Sequence, residues 1–362
     1  MRVLIATPLY PPEAGGPATY AKLLCEEFPK HGVEAVLVKW SDTLGYPKFF
    51  RHLVYAWRVF RAARAADAIL ALDPVSVGLP ACLASVLSGK PFFLRIAGDY
   101  AWEQGTQRFG VKELLDEFSV RRDYPFSVRA LRAVETFVAK RARRVIVPSA
   151  YLKRIVSLWG VRPDSISVVY NAAPSISEES PRPPHAPENY IAVVARLVPW
   201  KGIEAVIRAV ATLRTHADVG LIVVGDGPER SPLEAAARAS GVAEAILFTG
   251  SLPHETTLAY LAHAKALVLN TGYEGLSHLI LEAFRLRVPV ITTAVGGNPE
   301  LVTDEMTGLI IPFNDVPALA SAITRLLSDE KLRRHIVHEA EKRVESFTRE
   351  ATVTGSLAAL QL

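Results

Sequence analysis

Short runs of branched apolar residues recur along the chain, and between most of them lie longer stretches whose apolar positions repeat at helical spacing. The pattern predicts a strand over residues 2–7, a loop over 8–17, a helix over 18–28 and a strand over 35–39. A helix over 48–66, a strand over 68–72, a helix over 75–87 and a strand over 91–96 follow. Next come a helix over 126–144, a strand over 145–148, a short helix from Ala150 and a strand over 166–170. Residues 173–189 are rich in Pro, Ser and Glu and have no period, which reads as a linker. The alternation then restarts with a strand over 190–195, a helix over 203–214, and strands over 219–224 and 245–249. A helix over 254–263, a strand over 266–269, a helix over 276–286 and a strand over 288–292 continue it. A short strand over 308–311, a helix over 315–327 and helical segments to residue 362 complete the chain. Alternating strands and helices predict an α/β protein with parallel sheets. The restart predicts two doubly wound Rossmann-like domains, 1–172 and 190–346, facing each other across a ligand cleft.

The unit over residues 265–301 concentrates the chemistry. Its first strand breaks at Asn270-Thr271-Gly272, and two carboxylates follow, Glu274 in the loop and Glu282 about two turns into the helix. Between them lie the first-turn amides around Ser277, His278 and Leu279. Unpaired amides at the positive end of a helix suit a phosphate, and carboxylates suit sugar hydroxyls, which need acceptors. The combination suggests a nucleotide sugar. Read alone, two glutamates at this spacing also describe a solvated helix face.

Other loops at predicted strand ends carry further candidates. Gly15-Gly16 lies between a strand and a helix, where glycines let backbone approach a ligand, although such a pair also makes an ordinary turn. Arg196 and Lys201 are cations in one loop and can straddle a diphosphate. Gly225 and Gly227 form a tight turn that Pro228 separates from a dinucleotide fingerprint. Asp99, at the end of the strand over 91–96, is a candidate for the acceptor side or a helix cap. Residues 48–66 mix aromatics and aliphatics with Arg51, Arg58, Arg61 and Arg64. That pattern reads as a domain helix with its arginines solvated outward, or as a helix lying on a membrane.

A chain of 362 residues with half its residues hydrophobic suits two domains with substantial cores. The formal charge of +4 fits anionic ligands or an anionic membrane surface and is too dispersed to argue for nucleic acid. Two cysteines, Cys25 and Cys82, without a CxxC or a Cys/His cluster point to free thiols in a reducing compartment and no structural zinc. No signal peptide or spanning segment is expected, which places the protein in the cytoplasm, with peripheral contact at the inner membrane face as an extension. Asp-x-Asp, P-loop, zinc-protease and G-x-S-x-G motifs are absent.

Glu274-x7-Glu282, Pro289-Val290-Ile291 and Gly296-Gly297-x-x-Glu300 together resemble the signature of the retaining glycosyltransferases of family 4, which have the GT-B fold. The resemblance spans nearly the whole chain and is strongest over 190–302. It implies that Arg196 and Lys201 bind and stabilise the donor diphosphate, that Glu274 holds hydroxyls of the donor sugar, and that Glu282 holds the ribose. It also implies that Gly15 and Gly16 face the donor or acceptor, and that Gly225 and Gly227 lie near the nucleotide. The last helix, 347–362, would cross back to the first domain. The implied reaction moves a hexosyl group from a UDP- or GDP-linked sugar to a hydroxyl of a glycan, lipid-linked or small-molecule acceptor, with no cofactor and no metal. Polysaccharide assembly is the implied setting. Three features depart from the family pattern: Gly98-Asp99 replaces a histidine, Ser277-His278 stands where an aromatic-proline pair is common, and Leu286-Arg287 replaces a small residue. The competing readings are a catalytically silent nucleotide-sugar-binding partner, a GT-B nucleotide-sugar epimerase and, more distantly, a nicotinamide dehydrogenase.

Overall fold

The computed structural model describes residues 1–13, 15–175, 181–184 and 186–360. Residues 176–180 and 185 of the expected linker, residue 14 of the first loop and residues 361–362 of the last expected helix lie outside the described residues. The chain divides into two compact units, Met1–Asn171 with Arg349–Leu362, and Ala172–Thr348.

The first unit opens with β1 (Arg2–Thr7), α1 (Gly16–Glu27), β2 (Glu34–Lys39), α2 (Lys48–Ala63), β3 (Ala68–Ala71), α3 (Gly78–Ser88) and β4 (Phe92–Arg95). It continues through α4 (Tyr100–Arg108), α5 (Leu115–Val120), α6 (Phe126–Arg141), β5 (Arg144–Val147), α7 (Ala150–Leu158) and β6 (Ile166–Val168). The sheet order is β2-β1-β3-β4-β5-β6, with every pairing parallel. Strands β3 and β4 are buried along their whole length, as parallel strands covered on both faces must be. The order reverses between β1 and β3, so the loop after β1, which carries Gly15, sits at the topological switch point of this sheet.

Helices α4 and α5 occupy a stretch in which the sequence pattern shows no helix. Most of α4 is polar, and its Gly105 has a packing reason: a Cβ there would lie 2.9 Å from Val111 Cγ2. Helix α5 is too short for a period to show.

The second unit contains β7 (Tyr190–Val194), α8 (Ile203–Leu213), β8 (Gly220–Val224), α9 (Arg230–Ala239), β9 (Ile246–Gly250), α10 (His254–Ala262) and β10 (Leu267–Leu269). It closes with α11 (His278–Arg285), β11 (Val290–Thr293), α12 (Asn298–Leu301), β12 (Leu309–Ile311), α13 (Val316–Ser328) and α14 (Glu330–Val344). Its parallel sheet has the order β12-β11-β10-β7-β8-β9. Alternate residues of one strand serve opposite cores, as a period of two requires. Leu221 and Val223 pack with Val206 and Ile323, whereas Ile222 and Val224 pack with Ile280 and Phe284.

The last helix, α15 (Arg349–Ala359), belongs to the first unit. Tyr20 Oη and Ser356 Oγ lie 2.6 Å apart, Thr352 Oγ1 donates to the Tyr170 carbonyl, and Arg349 pairs with Glu26 and Glu27 of α1. Cys25 and Cys82 are free thiols. Among the described residues no helix is long and apolar enough to cross a membrane.

Candidate functional site

In the second unit the strand order reverses between β7 and β10. Ligands of open parallel sheets bind at the carboxyl ends of strands where the order reverses, so the loops leaving β7 and β10 are the ones to inspect. Residues 195–202 and 270–277 are these loops, and hydrogen bonds join them. Gly272 N–H donates to the Trp200 carbonyl at 2.7 Å, and Thr271 Oγ1 donates to the same carbonyl at 3.2 Å. Asn270 Nδ2 donates to the Gly202 carbonyl at 2.8 Å, while its Oδ1 accepts the Asn314 N–H.

The flanking loops fit against these two with no room for a side chain. A Cβ on Gly225, whose φ is +132°, would lie 1.9 Å from the Ala195 carbonyl oxygen, and one on Gly227 would lie 2.3 Å from that of Leu197. Leu197 N–H donates to the Asp226 carbonyl in the same seam. On the other side, Gly297 N–H donates to the Glu274 carbonyl at 2.9 Å. Gly296, at φ +61°, brings its α-carbon so close that a Cβ would sit 1.8 Å from the Glu274 oxygen.

This framework places the charged candidates. Lys201 Nζ donates to Glu274 Oε2 at 2.6 Å, with the two side chains 16% and 22% exposed. Arg196 is exposed at the start of the same loop, with no ion-pair partner among the described residues. Helix α11 begins at His278, two residues later than the apolar period predicts, because Ser277 acts as its cap and Ser277 Oγ accepts the Ile280 N–H at 3.3 Å. His278 and Leu279, half-buried, form its first turn.

Glu282 lies one turn further along α11, and burial alone pushes its carboxyl up to about 7. His254 Nε2, at the start of α10, is 3.7 Å from Glu282 Oε1, and burial pushes the imidazole down. Both shifts favour neutral forms, so the contact is that of a carboxyl beside an imidazole more than an ion pair. Two residues past the end of α11, Arg287 takes φ +60° and is tied by Nε to Glu341 Oε1.

Arg196, Lys201, Gly225, Gly227, Glu274, Ser277, His278, Leu279 and Glu282 are therefore gathered at the carboxyl ends of one sheet. The sequence pattern does not single out Asn270, Thr271, Asn314 or His254. Asn270 and Thr271 are buried polar residues at a strand end, and that position was the available signal.

Gly15, Gly16 and Asp99 belong to the first unit. Gly15 takes φ +144° and caps α1, with Gly16 as its first residue and Pro17 behind it, where a missing N–H costs nothing. Of the two readings of Asp99, the cap is the one observed: Oδ1 accepts the Trp102 N–H at 2.8 Å and the residue is almost fully buried. Glu135 Oε2 accepts the neighbouring Ala101 N–H at 3.2 Å, so two acids hold the first turn of α4. Asp99 Oδ2 is buried without a donor, and the Glu135 carboxyl beside it can supply one only when protonated. Burial pushes both carboxyls up, most strongly Glu135.

A family description of group 1 glycosyl transferases matches residues 176–343, and one of a glycosyl transferase 4-like domain matches residues 36–172. Residues 176–343 are thus similar to the group 1 glycosyl transferases. The chain is similar to the alpha-D-kanosaminyltransferase of Streptomyces kanamyceticus, 34% identical over 148 residues that cover 41% of this chain and 38% of the relative. It is also similar to a GDP-mannose-dependent alpha-(1-6)-phosphatidylinositol monomannoside mannosyltransferase of Mycolicibacterium smegmatis, 36% identical over 149 residues. That match covers 39% of each chain, so the chain spans about two fifths of the length of these curated relatives. In fold, the chain resembles the Anabaena protein HepE, solved in complex with UDP-glucose. The TM-score is 0.78 at 17% identity, with all of both chains covered. The fold is thus the two-domain Rossmann-like α/β architecture of GT-B enzymes.

Proposed function

We propose that this protein transfers a hexosyl group from a nucleotide diphosphate sugar to an acceptor hydroxyl, with retention at the anomeric carbon and without a metal. The observation that carries this reading is the Lys201–Glu274 contact. In such a donor the anomeric carbon is joined through one oxygen to the outer phosphate, so the cation serving that phosphate and the acceptor serving sugar hydroxyls must be neighbours. Lys201 and Glu274 are neighbours at 2.6 Å.

In this reading Arg196 and Lys201 stabilise the departing diphosphate, Glu274 orients the sugar and Glu282 accepts ribose hydroxyls. The anomeric C–O bond to the diphosphate breaks and the acceptor oxygen bonds to the same face of that carbon. The acceptor proton passes to an oxygen of the departing phosphate, releasing a nucleoside diphosphate. Catalysis is then positioning plus stabilisation of an anion.

The donor base is uracil or guanine, as in the UDP-glucose bound by the structural neighbour HepE and the GDP-mannose used by the Mycolicibacterium relative. The acceptor is a glycan, a lipid-linked sugar or a small molecule, in polysaccharide assembly. The setting is the cytoplasm, with peripheral contact at the inner face of a membrane.

A thermal-shift panel of UDP, GDP, ADP and their sugars tests the reading on the wild type, Lys201→Ala and Glu282→Ala. A stabilising ligand raises apparent stability by mass action. One nucleotide should raise the melting temperature of the wild type, and both substitutions should abolish the shift. No shift with any nucleotide in folded protein overturns the transferase reading.

A further inference from the structure

One side of the first unit is apolar where a solvated surface would be polar. Helices α2, α3 and α6 pack in succession on that side. Along α2 the exposed residues are Phe50, His52, Leu53 and Trp57, with Leu53 67% and Trp57 57% exposed, and Arg61 and Arg64 continue the line. The opposite stripe of α2, Tyr55, Val59 and Ala63, is already buried. The sequence expectation of arginines on the outer face is thus met only at the end of the helix. On α3 the outward residues Leu83, Val86 and Leu87 are all apolar, with Leu87 73% exposed. Helix α6 adds Phe137, with the Arg141 guanidinium 4.5 Å from its ring. Exposed apolar groups on this scale mark an interaction surface.

Charge selects the partner. Helices α2 and α3 contain no carboxylate, and the only one in α6, Glu135, is buried. Arg61, Arg64, Lys140 and Arg141 supply cations along the same helices. The flanking exposed acid, Asp42, is paired with Arg58 at 3.7 Å, which leaves Arg61 and Arg64 to an outside partner. Apolar and aromatic side chains among such arginines match an anionic lipid surface: the apolar groups enter the acyl boundary while the guanidinium groups meet the headgroups. A second copy of this face would set cations against cations.

We propose that the α2–α3–α6 face docks the protein peripherally on an anionic bilayer, with Phe50, Leu53, Trp57 and Leu87 entering the interface. Docking stands on this surface alone. Its consequence, that the acceptor is lipid-anchored and reached at the membrane, rests on the transferase reading.

Vesicle flotation tests the docking with full-length protein. With phosphatidylcholine vesicles containing phosphatidylglycerol, the wild type should float at low salt and less at high salt, and it should stay behind with phosphatidylcholine alone. The double variant Trp57→Glu/Leu87→Glu should not float. Arg61→Ser and Arg64→Ser should each weaken partitioning roughly fivefold. The substituted side chains are exposed, and the melting temperature and nucleotide shift of each variant read folding and the donor site separately. The proposal is overturned if the wild type fails to float with the anionic vesicles at low salt, or if the double variant floats as well as the wild type. A wild-type dimer that the double variant splits, with no vesicle binding, would assign the face to a second copy.

Discussion

Lys201 Nζ and Glu274 Oε2 meet at 2.6 Å across the loops that leave two neighbouring strands, one charge from each loop. Their burial removes most of the water that would screen them, so loss of either leaves a poorly solvated charge. Lys201→Ala and Glu274→Ala should each destabilise the protein, and the double variant should be less destabilised than the sum. A coupling of about 1 kcal/mol is expected from a double-mutant cycle by denaturant unfolding. Strict additivity would show that the pair contributes nothing.

Glu282 gives the site a pH dependence whose direction is fixed. Its folded pKa, about 7, lies above the ordinary glutamate value because burial penalises the charged form. The group therefore contributes stability at low pH that is lost as pH rises through about 7. With Glu282 on the ribose, as proposed, nucleotide affinity should move the opposite way, because only the carboxylate offers all its oxygens as acceptors to the hydroxyls. Calorimetric titration of the best-shifting nucleotide should show tighter binding on the alkaline side of 7, and Glu282→Gln should flatten the profile. A profile unchanged in that variant would separate Glu282 from the nucleotide.

The parallel strands and most helices were legible because each is announced by an apolar run or a helical period, and so was the position of Glu274 and Glu282 past the end of one strand, because the break at Asn270-Thr271-Gly272 marks that end. Three kinds of feature were not. Helix α4 is held by Asp99, Glu135 and the space beside Gly105, so its causes are tertiary and leave no period. The role of Asn270 depends on Gly202 and Asn314, which are far away in sequence. The outward stripe of α2 has the same spacing as a core-facing stripe, and period alone cannot say which of two apolar faces is buried.

The buried acids of the first unit predict a second pH effect. Glu135 faces Asp99 and Arg132, with Asp73 near enough to raise its pKa further, and burial is the leading cause of its shift. With its folded pKa raised, the pair stabilises the fold while protonated and loses that contribution as pH rises. Glu135→Gln keeps a donor toward Asp99 and cannot ionise. Its melting temperature should fall less than that of the wild type as pH rises above the ordinary carboxylate range, whereas Glu135→Ala should be less stable throughout. Parallel melting curves for wild type and Glu135→Gln across pH would show that the two acids share no proton.

Gly296 links backbone geometry to Glu274 of the proposed donor site, which makes it the sharpest probe of the framework. Its φ of +61° is a left-handed conformation that a side chain strains, and a Cβ there would lie 1.8 Å from the Glu274 carbonyl oxygen, far inside van der Waals contact. Neither atom can yield by a rotamer change, because both neighbours are backbone. Gly296→Ala must therefore push residues 274–275 away, and the Glu274 carboxylate with them, at a cost of roughly 1–3 kcal/mol. Gly241 is the control, since it also has positive φ, at +69°, but would meet nothing within 4 Å. Gly241→Ala should lose stability through backbone strain alone and keep its nucleotide shift. Gly296→Ala should lose stability and, in the proposed reading, in which Glu274 serves the sugar, also weaken the binding of sugar-bearing donors more than that of the bare nucleoside diphosphate. Equal weakening of both ligands would mean that the displacement reaches Lys201 as well, and no weakening would mean that the loop over residues 274–275 does not hold the sugar.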